Sequence, residues 1–300
     1  MYAPVIVFAY RRLDKIKECL ESVRKCDIAG ESDLYIFADG PKGTQDEQDV
    51  RNVVSYLEDA IKEGGFKKTE LIKSEYNCGL AASVINGVSD VIEDYGKAVV
   101  IEDDLTVAKD FLVYMNKALD FYENDRNIWS VTGYTQPLKS LSRYDHDIYY
   151  GYRGCTYGWG TWKDRWESVD WEVTGYHRFL ASDHMKKLFR RGGGDMPLML
   201  KHQMEGRLDS WGIRWCFAQS MQDRYTVYPA RSLVINHGYD GSGTHKSVQE
   251  GMNDYSHVYG EEIKLEHLYP DKRISREFYY LHTDTIDKKI KRNLKKILKR

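Results

Sequence analysis

Three adjacent carboxylates, Glu102, Asp103 and Asp104, follow the apolar, β-branched residues 99–101. Such a run predicts a buried strand, and apolar residues at helical spacing over 107–119 place the acids in a strand-to-helix turn. Ligands bind at such turns in α/β sheets. Because neighbouring carboxylates repel one another unless a cation lies among them, the motif predicts a site for Mg²⁺ or Mn²⁺. The alternative is a solvated acidic turn.

The first 120 residues contain four strand–helix units that position these acids. The pattern predicts strands at 4–10, 34–38, 71–74 and 98–101, each followed by a helix, and Asp39 ends the second strand before a Gly/Pro turn. Alternation of this kind predicts an α/β fold with a mostly parallel central sheet and helices on both faces. Neither a Gly-x-Gly-x-x-Gly dinucleotide fingerprint nor a Walker-type phosphate loop is present in the sequence.

Composition indicates a folded, globular protein. The 300 residues are 42% hydrophobic and 30% charged, which excludes an intrinsically disordered chain. Five scattered cysteines without a Cys-x-x-Cys pair fit reduced thiols in a cytoplasm. No signal peptide or membrane-spanning run is evident, so we expect a cytoplasmic protein, soluble or peripheral at the inner face of the plasma membrane.

Aromatic residues and glycines crowd the segment from 149 to 171. Such density suits stacking on ring-shaped ligands, although a core of Trp and Tyr is the alternative for most of these rings. The Gly-flanked Trp159 is expected at a surface, and Trp159, Gly160 and Trp211 are the candidate residues of an acceptor or sugar pocket. Further on, the pattern predicts a mobile loop at 190–195 and a helix containing 208–215.

Several motifs together resemble those of inverting GT-A glycosyltransferases from bacterial polysaccharide gene clusters. They are Pro-Val-Ile-Val-Phe-Ala-Tyr-Arg-Arg, Ile-Phe-Ala-Asp-Gly, Asn-Cys-Gly-Leu-Ala-Ala-Ser and Ile-Glu-Asp-Asp-Leu, within a likeness over most of residues 4–247. The last motif is also similar to the Glu-Asp-Asp of the N-acetylglucosaminyltransferase I type, and it departs from a strict Asp-x-Asp. The resemblance implies a GT-A, Rossmann-like fold. It divides the chain into a nucleotide-sugar-binding half at 1–128, an acceptor-binding and catalytic half at 129–250 and a helical extension at 251–300.

The same resemblance implies roles for individual residues. Asp104 would bind the Mn²⁺ or Mg²⁺ that bridges the donor diphosphate, with His245 completing the metal site and His237 a weaker competitor. Asp39 would contact the nucleobase. The residues expected to bind the nucleotide sugar are Ala9, Tyr10, Arg11, Asp39, Asn77, Gly79, Leu80, Glu102, Asp103 and Lys246.

Inverting sugar transfer also needs one base to deprotonate the acceptor hydroxyl. Asp209 is the first candidate. Glu205, expected on the same helical face four residues earlier, is the second, and Asp195 is the third.

The predicted activity is metal-dependent transfer of a hexosyl or N-acetylhexosaminyl group to a glycan or lipid-linked acceptor, with UDP favoured as the nucleotide by resemblance. One alternative is a sugar-phosphate nucleotidyltransferase, although the usual Gly-rich signature after the first strand is missing. The other is a non-catalytic carbohydrate-binding protein, which would not need the acidic motif.

The C-terminal residues 286–300 hold eight Lys or Arg and one Asp. Apolar residues at helical spacing predict a basic amphipathic helix that lies on an anionic membrane surface. The alternative is that its apolar stripe packs on the protein or on a second subunit of a homodimer. The remainder of the chain is acidic, which argues against nucleic acid as a partner.

Overall fold

The computed structural model describes residues 1–238 and 255–283. Within them the strands are β1 Val5–Ala9, β2 Asp33–Ala38, β3 Lys68–Lys73, β4 Lys97–Glu102, β5 Leu105–Val107, β6 Ile128–Thr132, β7 Ile148–Gly151, β8 Trp159–Trp162, β9 Tyr225–Pro229 and β10 Val234–Asn236. The helices are α1 Leu13–Arg24, α2 Glu47–Ala60, α3 Leu80–Tyr95, α4 Phe111–Tyr122, α5 Lys163–Glu167, α6 Tyr176–Ala181, α7 Asp183–Arg190, α8 Met196–Met204, α9 Trp211–Met221 and α10 Lys272–Leu281.

One large sheet organises the described residues, in the order β3-β2-β1-β4-β8-β6-β9-β7. Strands β3, β2, β1 and β4 run parallel, and β9 runs parallel to β6. Strand β8 is antiparallel to β4 and β6, and the edge strand β7 is antiparallel to β9. A separate two-stranded pair joins β5 to β10. The predicted α/β class with a mostly parallel central sheet and flanking helices is confirmed.

Helices cover both faces because the strand side chains alternate in direction. On one face Val5 and Val7 of β1 join a core that includes residues of α1, α2 and α4. On the other face Ile6 and Phe8 join a core that includes α3 and two tryptophans of α9. Both faces of β1 are fully apolar, which explains why this strand reads as a continuous hydrophobic run.

Two predicted boundaries are wrong. Val107 belongs to β5, and the helix after the acids starts at Phe111, because the chain first pairs with β10. Residues 208–210 precede α9 rather than lying inside it, since Ser210 caps the helix by accepting a hydrogen bond from the Ile213 N–H at 3.3 Å.

The loop at 190–195, predicted to be mobile, is pinned on both sides. Arg153 donates to both carboxylate oxygens of Asp195, at 2.8 and 3.1 Å. The Gly194 N–H donates to Thr283 Oγ1 at 3.0 Å, and the Asp195 N–H donates to the His282 carbonyl at 3.2 Å. The loop therefore ties α7 to the end of α10.

Among residues 1–238 and 255–283, none of the helices has the length and apolar character needed to cross a membrane. The predicted basic helix at 286–300 lies outside the described residues.

Candidate functional site

Four loops leave the sheet at one edge, because β1, β2, β3 and β4 are parallel and end side by side. These loops, the strand ends before them and the first residue of α3 contain the residues that the sequence singled out for nucleotide-sugar binding, apart from Lys246, which lies outside the described residues. Side chains from different parts of the chain can thus converge at this carboxyl edge, as ligand sites of open α/β sheets do.

The carboxylate of Asp39 holds the β3–α3 turn in place. It accepts hydrogen bonds from Asn77 Nδ2 at 3.0 Å, the Cys78 N–H at 2.8 Å, the Gly79 N–H at 3.1 Å and its neighbour Gly40 N–H at 3.0 Å. A carboxylate has about four lone-pair positions, so this network fills them. Asp39 therefore fixes the shape of the turn rather than offering a free acceptor.

The loop after β1 is anchored to the start of α2. Tyr10 Oη donates to Asp46 Oδ2 and Arg11 Nη1 pairs with Asp46 Oδ1, both at 2.7 Å. Ala9 is buried and contributes its carbonyl, which accepts from the Asp39 N–H at 3.0 Å. Leu80, at the first position of α3, is 47% exposed beside the turn.

The acidic turn after β4 is built around an arginine that sequence reasoning missed. Arg12 pairs with the buried carboxylate of Asp103 through Nη2 and Nε, and its Nη1 reaches Asp104 Oδ2 at 3.0 Å. Burial raises the pKa of Asp103 to about 6, although Arg12 opposes the shift. Burial and the two neighbouring carboxylates raise the pKa of Glu102 to about 8. Arg12 could have been identified from the sequence as a basic residue in the loop after the first strand, because the three acids follow a strand that ends at the same edge of the sheet.

Strand β10 and the two residues after it meet Asp104, and of these residues the sequence had named His237 as the weaker candidate for the metal site. The His237 N–H donates to the Asp104 carbonyl at 2.8 Å, while its ring Nε2 lies 2.9 Å from Thr106 Oγ1. At Gly238 a Cβ would lie 2.4 Å from Asp104 Oδ2 and 3.1 Å from Asn236 Oδ1, so a larger residue would displace these side chains. Asn236 Oδ1 accepts a hydrogen bond from the Gly238 N–H at 2.7 Å, and Asp104 Oδ2 accepts one from Arg12.

The carboxylate of Asp104 offers one free oxygen to a divalent cation. Asp104 Oδ1 is buried without a hydrogen-bond partner among the described residues, while Asn236 Oδ1, on the Oδ2 side of the carboxylate, keeps one lone pair beside its bond to Gly238. Mg²⁺ is commonly held by one or two protein oxygens together with substrate phosphates. No group of three or more His, Cys, Asp or Glu side chains within residues 1–238 and 255–283 forms a metal site alone. The predicted ligand His245 and the predicted phosphate contact Lys246 lie outside the described residues.

Asp209, the first candidate base, lies at the turn held by Asp39. A Cβ at Gly79 would lie 3.9 Å from Asp209 Oδ2. The Asp209 side chain is 69% exposed, and Arg214 Nη2 approaches its Oδ1 at 3.5 Å. It thus borders the carboxyl edge while remaining open to a substrate.

The other two candidate bases are placed differently from the prediction. Glu205 follows the last residue of α8 and pairs with Lys201 and Arg207, so it does not share a helical face with Asp209. Asp195 is bound to Arg153 in the loop described above.

The expectation that Trp159 lies at a surface is wrong. Trp159 is fully buried and Trp211 is 3% exposed, with their ring centroids 5.1 Å apart in a cluster on the α3 side of the sheet. At Gly160 a Cβ would meet the Ala98 carbonyl at 2.9 Å, so this glycine serves close strand packing. Trp159 and Gly160 belong to β8, an interior strand covered on both faces, and Trp211 is buried at the first position of α9.

Comparison with known proteins gives structural similarities only. No protein-family model matches the chain, and no curated protein does. Mannosyltransferase PcManGT from Pyrobaculum calidifontis, in complex with GDP-Man and Mn²⁺, is 13% identical with a TM-score of 0.39, over 55% of this chain and 46% of that one. S. aureus TarS 1-349 gives 13% identity and a TM-score of 0.39 over 54% and 47%. Its complex with UDP gives 16% and 0.33 over 48% and 40%.

The chain thus spans less than half the length of each of these proteins. At such identities and TM-scores, function has to be inferred from the residues of this chain.

Proposed function

We propose that the chain is a metal-dependent, inverting glycosyltransferase that moves a sugar from a nucleoside diphosphate, UDP being favoured, to a hydroxyl of a glycan or lipid-linked acceptor. The observation that carries the proposal is the meeting of the Asp39 turn, the acidic turn at Asp104 and the exposed carboxylate of Asp209 at one edge of a parallel sheet. Donor, cation and acceptor hydroxyl each find a chemically suited group there.

In this proposal the donor nucleotide lies along the loops after β1, β2 and β3. The Asp39 carboxylate already accepts its full set of hydrogen bonds from the turn. We therefore assign it a positioning role, and the exposed face of the turn makes the contacts to the nucleobase. Leu80 and Tyr76 are 47% and 77% exposed there and offer apolar surface to a planar base.

Asp104 and Asn236 would hold the cation. A divalent ion bound there supplies positive charge to the leaving diphosphate. Arg12 pairs with Asp103, and its Nη1 also contacts Asp104. The guanidinium would therefore orient the Asp104 carboxylate toward the cation.

Asp209 would accept the proton of the attacking hydroxyl. A general base of this kind contributes about 10²–10⁴-fold to kcat. Its exposure leaves room for an acceptor, and Arg214 limits the directions in which the carboxylate can turn.

The decisive experiment measures nucleotide release and product formation from a panel of nucleotide sugars with Mn²⁺, with and without EDTA. Asp104→Asn should abolish activity without lowering Tm by more than a few degrees. Asp209→Asn should retain donor binding but lose at least 100-fold in kcat, whereas Glu205→Gln should stay within threefold. Activity that is unchanged by both EDTA and Asp104→Asn would contradict metal dependence. A product that NMR shows to retain the anomeric configuration of the donor would contradict inversion.

The alternatives predict different products in the same assay. A sugar-phosphate nucleotidyltransferase releases pyrophosphate from a nucleoside triphosphate. A carbohydrate-binding protein releases nothing, and burial of Trp159 and Trp211 takes away the aromatic surface that favoured it.

A further inference from the structure

An open cavity with basic residues around it lies between α7 and α10. Its volume is about 340 Å³, and four basic residues contribute to its walls. The lining residues are Tyr152, Lys187, Arg190, Arg191, Ser275, Arg276 and Tyr279.

This basic cavity is separate from the carboxyl edge. Tyr152 directly follows β7, and its neighbour Gly151 pairs with Thr226 near the first residue of β9. Strand β9 has the same direction as β6 and β4, since β8 is antiparallel to both of the latter. The amino end of β9 therefore lies at the sheet edge opposite to Glu102, and β9 is the third strand from β4 in the sheet.

The positive charge of the cavity is largely uncompensated by the protein. Across the described ranges, no carboxylate forms an ion pair with Lys187, Arg190 or Arg276, and Arg191 alone is paired, to Asp223 at 2.5 Å. Lys187 and Arg190 complement the carboxyl end of the α7 dipole. That explanation does not extend to Arg276, which comes from a different helix. Cations of one sign around a single opening raise the local concentration of anions.

One side of the cavity is held in place by contacts within the protein. The Arg191 guanidinium carbon lies 4.3 Å from the Tyr152 ring centroid. The loop after Arg191 is bonded to Thr283 at the end of α10, as described above. Ser275 Oγ is buried and has no hydrogen-bond partner among the described residues, although a helical serine ordinarily bonds a carbonyl one turn back. A hydroxyl donor is thus left available beside four cations.

We propose that this basic cavity binds a phosphate group, through charge-assisted hydrogen bonds from Lys187, Arg190 and Arg276 and a hydrogen bond from the Ser275 hydroxyl. The phosphate is carried either by a soluble phosphate compound or by the headgroup of a phospholipid. The site is distinct from the proposed donor site and does not depend on it.

Titration calorimetry with inorganic pyrophosphate tests the soluble source. The solutions contain EDTA, so that cation-dependent diphosphate binding at Asp104 does not contribute. The full chain should bind, and Lys187→Gln with Arg276→Gln should weaken Kd at least tenfold. Ser275→Ala should weaken it severalfold, while Asp104→Asn should leave it unchanged.

A matched control removes the same charge elsewhere. Arg51 and Lys62 are exposed near α2, and their glutamine double variant should bind pyrophosphate within twofold of the unchanged chain. Because Lys187 and Arg276 are exposed too, both double variants should fold, which Tm verifies.

Sedimentation with phosphatidylglycerol and phosphatidylcholine vesicles tests the lipid source in the same proteins. Reduced phosphatidylglycerol binding by the cavity variant, with pyrophosphate binding unchanged or absent, would assign the site to lipid headgroups. Reduced pyrophosphate binding alone would assign it to soluble phosphates. If the cavity variant matches the control with both ligands, the proposal is wrong.

Discussion

The guanidinium of Arg12 shows how a single residue can organise an acidic turn. It neutralises the buried Asp103 and still reaches Asp104, so part of the negative charge of the turn is compensated inside the protein. The Asp104 Oδ1 atom is left without a partner in the described part of the chain. Because an unsatisfied buried carboxylate oxygen is unfavourable, this atom is where an added cation would lower the free energy most.

Cys78 offers a chemical test of the turn at Asp39. All five cysteines lie within the described residues, and Cys78 is the exposed one, with its N–H bonded to Asp39 Oδ1 at 2.8 Å. Alkylation by a bulky maleimide should therefore occur at Cys78 first and abolish donor binding, because the added group fills the donor side of the turn. The labelling rate, followed by mass spectrometry, should fall when UDP and Mn²⁺ are present.

Cys78→Ser serves as the control for this labelling. It should remain active and resist inactivation by the reagent. Unchanged labelling of the original chain at saturating UDP would argue that the nucleotide does not cover this turn.

At the residue scale, sequence was informative where side chains follow a strand directly. Asp39, Asn77 and Gly79 do come together, because parallel strands end at a common edge. Arg12 and Asn236 were missed, since their roles depend on which loops meet in space. Trp159 was misplaced because flanking glycines were taken as a sign of exposure, whereas they let an interior strand pack closely.

At the level of elements, the start of α3 depends on one glycine. Gly79 has φ +79° and ψ +152°, a backbone region that is essentially reserved for glycine. Gly79→Ala should lower the free energy of unfolding by about 1–3 kcal/mol and also weaken donor binding, because the turn would have to change shape. Urea unfolding and calorimetry measure the two effects.

Gly64→Ala is the matched control for this change. Gly64 also has a positive φ, +72°, but a Cβ there would meet nothing within 4 Å. It should lose stability while keeping donor affinity within twofold. Equal losses of affinity in the two variants would mean that the turn at Gly79 has no special role in binding.

The tryptophan cluster gives a second prediction for an element, the interior strand β8. Trp159→Ala should lower the free energy of unfolding by about 3–5 kcal/mol, because a fully buried ring is removed from a packed core. Trp171→Ala should lower the free energy of unfolding by less, because Trp171 is partly exposed at the margin of the same cluster. Urea unfolding provides the comparison.

Trp159→Phe separates packing from substrate contact. It retains a ring in the core, so kcat and the acceptor KM should stay within about threefold. A large rise in the acceptor KM at unchanged stability would restore Trp159 as an acceptor residue.

Helices and strands were predictable where the apolar pattern was strong, as in α1 or β1. They were less predictable where pairing with a distant strand decides whether a segment is a strand. Strand β5 has three residues and exists because β10 runs beside it. Likewise, the 190–195 loop is rich in glycine and reads as mobile, yet its glycines allow close contact with the end of α10.

At the scale of the whole molecule, the acidic turn lies at one edge of the sheet, and cations that have no carboxylate partner in the described part of the chain lie at the other. The chain after α10 adds the basic segment 286–300, for which membrane attachment stays a prediction. A chain ending at Asp284 should bind anionic vesicles more weakly than the full chain at low salt, because each basic residue near an anionic surface contributes about 1 kcal/mol at most. Flotation with and without high salt measures this.

The truncated chain keeps the basic cavity between α7 and α10. Binding that remains after truncation and is lost in the Lys187 and Arg276 double variant would belong to the cavity. Identical flotation of full and truncated chains would show that the segment does not attach the protein to membranes.

The stacked indoles also give the protein an intrinsic optical signal. The rings of Trp129, Trp159, Trp166, Trp211 and Trp215 have neighbouring centroids 4.3–6.4 Å apart, close enough for their excited states to couple. Coupled indoles give an excitonic couplet in circular dichroism that vanishes when the rings separate. Because Trp211 begins α9, two residues after Asp209, movement of that loop on substrate binding would register in the couplet without any added label.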